Sequence, residues 1–220
     1  MTQKTFETKK DYIVKAVKEK ILSGDLKPGV RLKTKELALE FGTSEIPVRE
    51  AINQLVSLRL VEVIPHVGAT TARISSTDLQ EIFQIRGELE SLATRLATPA
   101  LTLQDLDDIE RIHLELKQAL EDDAPSSRLN ALNREFHMRL YRHSGNLRLI
   151  TMIEELWNHA GRYPAPLSGR DPDTIKSLAD HEEILRLLKR HDVTGVTAIT
   201  LTHKQRSFER ILKAVRQSES

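Results

Sequence analysis

The chain has 220 residues, 39% hydrophobic and 30% charged, which allows two modest domains and excludes an intrinsically disordered protein. Its net charge is only +1, but residues 1–74 carry 13 Lys or Arg against 9 Asp or Glu, whereas the remainder carries 20 against 23. The absence of cysteine excludes disulfides and thiolate chemistry, and the lack of a membrane-length apolar run or a signal-peptide core predicts a cytoplasmic protein without a membrane partner.

The first part of the chain predicts three short helices and a hairpin. Apolar residues at every fourth position predict a first helix from about Lys9 to Ser23. Thr34 is the predicted N-cap of the second helix and Ser44 that of the third. Two β-rich runs, 60–64 and 69–73, flank a turn that contains proline and glycine. Helix, turn, helix and hairpin in this order are typical of a winged helix-turn-helix.

From Ser75 onward the pattern predicts helices alone. A capping box at Thr77 opens the first of them, Thr102 caps the second, and six helices with short connections indicate an antiparallel bundle. We therefore predict a mostly α fold, with a winged helix-turn-helix DNA-binding domain in residues 1–74 and an all-helical effector-binding and dimerisation domain in residues 75–220. A basic N-terminal domain suits DNA binding, and a mildly acidic C-terminal domain suits a unit that does not contact DNA.

The third helix turns several side chains away from its apolar stripe. In a helix-turn-helix this face enters the major groove, where Arg donates bidentately to guanine and Asn to adenine. Together with the start of the preceding helix and the tip of the wing, it supplies the predicted DNA-binding residues Lys33, Lys35, Ser44, Glu45, Ile46, Arg49, Asn53, His66 and Gly68. Periodicity alone explains them equally well as solvated surface residues.

The same region resembles the GntR family of bacterial regulators. The resemblance covers about 65 residues and is carried by Ile21-Leu-Ser-Gly-Asp-Leu-Lys-Pro-Gly-Val-Arg-Leu32, Glu36-Leu-Ala, Phe41-Gly and Ser44-x-x-Pro-Val-Arg-Glu-Ala51. It implies a homodimer that binds a palindromic operator through its recognition helices and wings. The family usually has Arg where this chain has Glu45. Because a carboxylate accepts only from a base such as cytosine, we expect an operator sequence that differs from the family norm.

The helical half resembles the FCD effector domain in its shorter, six-helix form. The residues that carry this resemblance are Glu81-Ile-Phe-Gln-Ile-Arg86, Glu90, Phe136-His137, Ser144-Gly-Asn146, Asp180-His181 and His203. The resemblance implies a divalent metal held inside the bundle by one Asp and three His and approached by an effector carboxylate. It assigns the histidines to His137, His181 and His203, and it places Asn133 where the family has Asp.

The three histidines also lie on apolar helix faces, independently of the resemblance. Imidazoles on three different helices can meet in a bundle core, as ligand sets of other bundles do. The alternative is three separate core histidines, and His113 shows that a histidine without a family role occurs on such a stripe in this chain. With the resemblance, we predict a bound zinc or nickel ion, to which the neutral Asn133 is a weaker ligand than a carboxylate.

Arg86 has two predicted roles: it binds the carboxylate of an effector bidentately, or it pairs with Glu90 one helical turn on. Arg134 is expected to point outward. We predict a transcription regulator rather than an enzyme, with double-stranded DNA and a small carboxylate as its ligands. The alternative is a metal-dependent hydrolase or isomerase with a three-histidine site. Against it, the sequence lacks H-E-x-x-H, a nucleophile elbow and a phosphate-binding glycine loop.

Overall fold

The computed structural model describes residues 8–73, 75–161, 163, 167 and 171–218. The chain folds as two compact units, Met1–Ser75 and Ser76–Ser220. Within the described residues the secondary structure consists of helices and one two-stranded sheet, which confirms the prediction of a mostly α fold with a small β wing. None of the helices described here is both long enough and apolar enough to cross a membrane.

The first unit contains three helices and a β-hairpin. The elements are α1 (Lys9–Ser23), α2 (Thr34–Glu40), α3 (Glu45–Ser57), β1 (Val61–Ile64) and β2 (Gly68–Thr71). The strands are antiparallel, with Val61 opposite Thr71. One apolar core joins these elements and includes Ile13, Val17 and Leu55. Its burial explains the four-residue periodicity of α1, because residues at that spacing share one face of a helix.

The N-termini of the three helices show which predicted caps were correct. Thr8 and Asp11 form a capping box at the start of α1. Ser44 is the N-cap of α3, as predicted, although its side chain makes no capping hydrogen bond. The predicted cap of α2 is wrong by one residue: Thr34 is the first helical residue, and Lys33 is the N-cap. At this position the backbone turns into the helix without a side-chain acceptor.

The second unit is a bundle of six α-helices within the described part of the chain. They are α4 (Ser76–Ala97), α5 (Leu103–Glu121), α6 (Ser126–Arg142), α7 (Leu147–Ala160), α8 (Pro172–Leu188) and α9 (Val193–Ser218), with a short 3₁₀ turn at Thr98–Ala100. Helix α4 packs against α9, α7 and α6, α8 packs against α9, and α5 packs against α6. The apolar core of the bundle draws side chains from all six helices.

Of the two predicted caps of the bundle, Thr102 is confirmed and Thr77 is wrong. Thr102 forms a capping box with Asp105 at the start of α5, and Asn146 caps α7. Helix α4 begins at Ser76, so Thr77 lies inside its first turn and cannot be the N-cap. Several consecutive residues there favour the cap position, and composition alone does not choose among them.

Candidate functional site

Three histidines meet inside the helical unit. His137 of α6, His181 of α8 and His203 of α9 are 1%, 0% and 1% exposed. Nε2 of His137 lies 3.1 Å from Nε2 of His203 and 3.2 Å from Nε2 of His181. One ligand nitrogen of each ring falls within 4.8 Å of the others. The structure therefore brings these side chains together instead of distributing them through the core.

The environment keeps all three rings neutral. Burial, with the positive charge of Lys204 as a further cause, holds the pKa of His137 well below its ordinary value. Burial and the neighbouring His203 do the same to the pKa of His181. Burial lowers the pKa of His203 to about 4, against the opposing effect of a hydrogen bond to Asp180. Neutral imidazole is the form that binds a metal ion.

In His137 and His203 the hydrogen bond made by Nδ1 determines whether Nε2, the nitrogen that faces the other ring, carries a lone pair. Oδ2 of Asp180 lies 3.2 Å from Nδ1 of His203, and because a carboxylate only accepts, Nδ1 carries the proton. The hydroxyl of Tyr141 donates to Glu90 at 2.7 Å, so its oxygen accepts from Nδ1 of His137 at 3.3 Å. In both neutral rings Nε2 is therefore unprotonated and faces the other.

Two lone pairs that face each other at 3.1 Å repel, and a cation between them removes the repulsion. Nitrogen ligands about 2.0–2.1 Å from one ion are separated by about 3.0–3.4 Å, which matches the distances of 3.1 and 3.2 Å from Nε2 of His137 to the other two rings. The hydrogen bonds to Asp180 and Tyr141 are the kind of outer contact that orients metal-binding imidazoles. The donor set therefore fits a divalent transition-metal ion.

A cavity of about 210 Å³ lies beside the histidine cluster and has His203 in its wall. Asn133, one helical turn before His137, is half-buried and also lines this cavity. Sequence analysis placed Asn133 and the three histidines in one site, and of these four residues Asn133 and His203 line this cavity. The amide of Asn133 offers an oxygen but no negative charge.

Arg86 lies in the wall of the same cavity and is 4% exposed. Its Nε donates to Oε1 of Glu90 at 2.8 Å, and its guanidinium carbon lies 4.3 Å from the ring centre of Trp157. Arg86 therefore forms the predicted internal pair and still borders the cavity. The two roles predicted for this residue are compatible, because the pair uses only one edge of the guanidinium group.

Glu90 collects three donors that the sequence did not connect. Besides Arg86, Nζ of Lys204 lies 2.8 Å from Oε2, and the hydroxyl of Tyr141 donates to the same oxygen. Burial raises the pKa of Glu90, but the charges of Arg86 and Lys204 outweigh it and hold the pKa at about 2. Burial lowers the pKa of Lys204 to about 8, against the attraction of Glu90. The result is a buried charge network next to the histidines.

The sequence predicted that Arg134 points outward, and this prediction is wrong. Arg134 is half-buried, lines the cavity, and donates from Nη1 to Oδ1 of Asn158 at 2.9 Å. The physical reason is that α7 packs beside α6 and supplies Asn158 as an acceptor. Sequence analysis missed four residues around the histidines and the cavity: Arg134, Lys204, Tyr141 and Trp157. Apart from the contact of Tyr141 with His137 on the same helix, their polar and ring partners lie on other helices, so local patterns do not reveal them.

The first unit presents most of its predicted DNA-binding residues to solvent. Ile46 is 69% exposed, and the side chain of Arg49 is 70% exposed while its Nη2 lies 3.1 Å from Oε2 of Glu45. The opposite face of α3 is buried, as the stripe predicted. The exposed members of the predicted set are Lys33, Lys35, Ser44, Ile46, Arg49, Asn53 and His66, and the half-buried ones are Glu45 and Gly68.

The wing turn is small and tightly bent. His66 has φ 66° and Gly68 has φ 101°, both in the left-handed region. A Cβ added at Gly68 would come within 3.8 Å of the side chain of Arg31. The turn therefore carries the imidazole of His66 next to the first residue of β2, where the positive φ favours glycine.

Comparisons with protein families match both units. Residues 9–70 match the model described as bacterial regulatory proteins, gntR family, and residues 81–206 match the model of the FCD domain. The HTH-type transcriptional regulator McbR of Escherichia coli strain K12 is 40% identical over 145 residues, which cover 66% of this chain and 65% of that protein, slightly less than two thirds of its length.

Two further relatives extend over most of the chain. An uncharacterized HTH-type transcriptional regulator of Bacillus subtilis strain 168, YdhC, is 27% identical over 197 residues, or 89% of this chain and 87% of that protein. The solved structure of E. coli McbR/YncC superposes with a TM-score of 0.75 at 29% identity and covers 98% of this chain and 100% of that one. These names describe regulators, so the metal-dependent enzyme alternative finds no support.

Proposed function

Because the chain belongs to the GntR family of bacterial regulatory proteins and carries an FCD domain, we propose that it is a ligand-responsive transcription regulator. The observation that carries the proposal is the buried histidine cluster, which lies within the part of the chain that matches the FCD model, together with the cationic cavity beside it. A cavity of this kind suits the sensing of a small ligand, and an exposed recognition-helix face suits the reading of DNA.

The DNA ligand in this proposal is a palindromic operator bound by a homodimer. Two half-sites about one helical turn apart require two linked readers, and the helical unit is the proposed dimerisation domain. Arg49 and Asn53 contact base edges, Ile46 offers an apolar contact to a thymine methyl group, and Lys35 contacts phosphate. The pairing of Arg49 with Glu45 fits a role in which the carboxylate orients the guanidinium group.

The proposed effector is a small metabolite with a carboxylate group, bound in the 210 Å³ cavity. Arg86 supplies a guanidinium group that matches the geometry of a carboxylate. The proposed metal, zinc or nickel, is held by His137, His181 and His203, with Asn133 as a weak ligand or replaced by water. When bound, this ion adds positive charge next to the cavity and so strengthens attraction for an anion.

The test measures DNA affinity with and without effectors. An operator is selected from random-sequence DNA with the purified protein, and its affinity is measured by fluorescence anisotropy in the presence of a panel of organic acids and neutral sugars. We expect at least one acid to change operator affinity by an amount that corresponds to a coupling of about 1–3 kcal/mol. Selection of no sequence would contradict DNA reading, and responses confined to neutral sugars would contradict the carboxylate effector.

Variants of Arg86 sharpen this test. Arg86→Lys keeps the charge opposite Glu90 but loses the planar fork, so we expect it to fold and to weaken acid binding measured by calorimetry. Arg95→Lys, exposed on the same helix, is the matched control and should bind like wild type. Equal binding by both variants and wild type would remove Arg86 from the ligand site.

A further inference from the structure

The cavity beside the histidines carries an excess of positive charge. Its wall contains Arg86, Arg134, Lys204 and Arg210, and no Asp or Glu residue lines it among the described residues. Glu90 lies behind the wall, 0% exposed, and compensates one charge of the pair formed by Arg86 and Lys204. Arg210 interacts with the charges of Asp171 and Asp173.

Arg134 contributes a second positive charge that no ion pair compensates among the described residues. Within the part of the chain that the structure describes, its hydrogen bond goes to the neutral side chain of Asn158, and it forms no ion pair. The acid that acts on it electrostatically, Glu154, lies 3.8 Å from Arg142 instead. Three cations of the wall, on α4, α6 and α9, thus have one carboxylate, Glu90, as their ion-pair partner, which leaves two positive charges without an ion pair of their own.

The rest of the cavity wall restricts the ligand in size and shape. Phe83, Trp157, Ala160 and Ile211 provide apolar contact between the charged groups. The volume of about 210 Å³ lies below the range of about 300–1,000 Å³ of sites for drug-sized molecules. A short carbon chain with a negative charge at each end satisfies the charge, the apolar wall and the size together. A compact dianion without a carbon chain satisfies the charge but not the apolar wall.

We propose that the cavity selects a small dicarboxylate over a monocarboxylate, and that Arg134 and Lys204 determine this preference. This inference rests on the proposed carboxylate-sensing function and narrows it to one class of acid. Arg86 does not distinguish a monocarboxylate from a dicarboxylate, because its charge is already paired with Glu90. Arg134 has no carboxylate partner among the described residues, so the second carboxylate of the ligand is the group that it recognises.

The test compares succinate with butyrate, which have the same number of carbon atoms but differ by one carboxylate. Binding to the full chain, prepared without chelators, is measured by calorimetry for wild type, Arg134→Gln and the control Arg128→Gln, an exposed residue of the same helix. Lys204→Met, which removes charge and keeps most of the volume, is a second variant whose folding is checked by the fluorescence of Trp157. Methyl phosphate serves as a compact dianion.

We expect wild type to bind succinate at least about tenfold more tightly than butyrate, and Arg134→Gln to lower that ratio by about tenfold, because a charge-assisted hydrogen bond is lost. The ratio should persist in Arg128→Gln. Equal binding of the two acids, or an unchanged ratio in Arg134→Gln, overturns the dicarboxylate inference and leaves carboxylate sensing in place. Tighter binding of methyl phosphate than of succinate also overturns it. Binding of neither acid overturns both proposals.

Discussion

Asp180 accepts a hydrogen bond from Nδ1 of His203 at 3.2 Å and receives a second one from Arg206 on its other carboxylate oxygen. The carboxylate thereby fixes the proton of the neutral ring on Nδ1 and leaves the lone pair of Nε2 directed at His137. Arg206 is half exposed, whereas Asp180 and His203 are buried. Asp180 is thus a positioning residue between the surface and the proposed metal site.

Asp180→Asn should weaken zinc binding about 10–100-fold, the usual effect of changing an outer partner of a metal-binding imidazole. The substitution keeps the shape of the side chain but removes the charge that holds the ring. Zinc affinity is measured by competition with a chromophoric chelator. Asp107→Asn, exposed on α5, is the control for a lost negative charge. Equal affinities of both variants and wild type would contradict the positioning role.

The buried Glu90 predicts a specific pH dependence of stability. Because its pKa in the folded protein is about 2, below the ordinary 4.5, its ionised form stabilises the fold fully at pH values above about 4.5. This contribution, about 3 kcal/mol for a shift of that size, is lost as the pH falls from about 4.5 to about 2. Urea unfolding in the presence of a chelator, followed by the fluorescence of Trp157, the single tryptophan, measures it.

Glu90→Gln should lower the free energy of unfolding at pH 7, since Arg86 and Lys204 lose their common carboxylate. Its difference from wild type should shrink as the pH is lowered through that window. Glu88→Gln, exposed on the same helix, should follow wild type at every pH. A constant difference between Glu90→Gln and wild type across the window would show that the ionisation of Glu90 does not stabilise the fold.

Arg49→Ala should cost about 1–3 kcal/mol of binding free energy at the selected operator and relax the preference at one base pair. The reason is that its exposed guanidinium group is the proposed donor to a guanine. Fluorescence anisotropy with operators altered at single positions measures both effects. Lys15→Ala, which removes an exposed positive charge from α1, should leave the preference unchanged. An Arg49→Ala variant with wild-type affinity would exclude Arg49 as a reader.

Lys35→Ala should weaken binding to all sequences alike. Its exposed ammonium group is proposed to contact phosphate, which carries no sequence information. The slope of the logarithm of affinity against the logarithm of salt concentration should fall by about 1. Measurements at several salt concentrations, on selected and on random DNA, separate this outcome from loss of a base contact, which would affect the selected DNA alone.

Local sequence patterns predicted the helices well, because each helix buries one periodic face. The bounds of α1 and the caps Thr102 and Asn146 depend on neighbouring residues only. At the start of α4 several consecutive residues favour a cap, and Thr77 was the wrong choice. The apolar stripes also located His137 and its two partners, but only the packing of three helices shows that their nitrogens meet.

The charged part of the site was not predictable in this way. Lys and Arg are almost never fully buried unless they are paired, so a lysine next to His203 reads as a surface residue. Lys204 can be buried because it forms an ion pair with Glu90, which lies on a different helix. Arg134 lines the cavity because Asn158 of the adjacent helix gives it an acceptor. Each case needs a partner distant in sequence, which periodicity does not supply.

The remaining prediction concerns Asn133, which stands where the resemblance to FCD domains implies an aspartate. If three histidines hold the ion, Asn133→Asp should tighten zinc binding by about tenfold or more, because a carboxylate is a stronger ligand than an amide. Asn130→Asp is the matched control, since Asn130 lines the same cavity nearly one helical turn earlier and gains the same charge. A larger effect at position 133 than at position 130 indicates ligation, whereas equal effects indicate only a general electrostatic attraction. Should His181→Ala also retain the metal content of wild type prepared without chelators, the three histidines are core residues and the metal site does not exist.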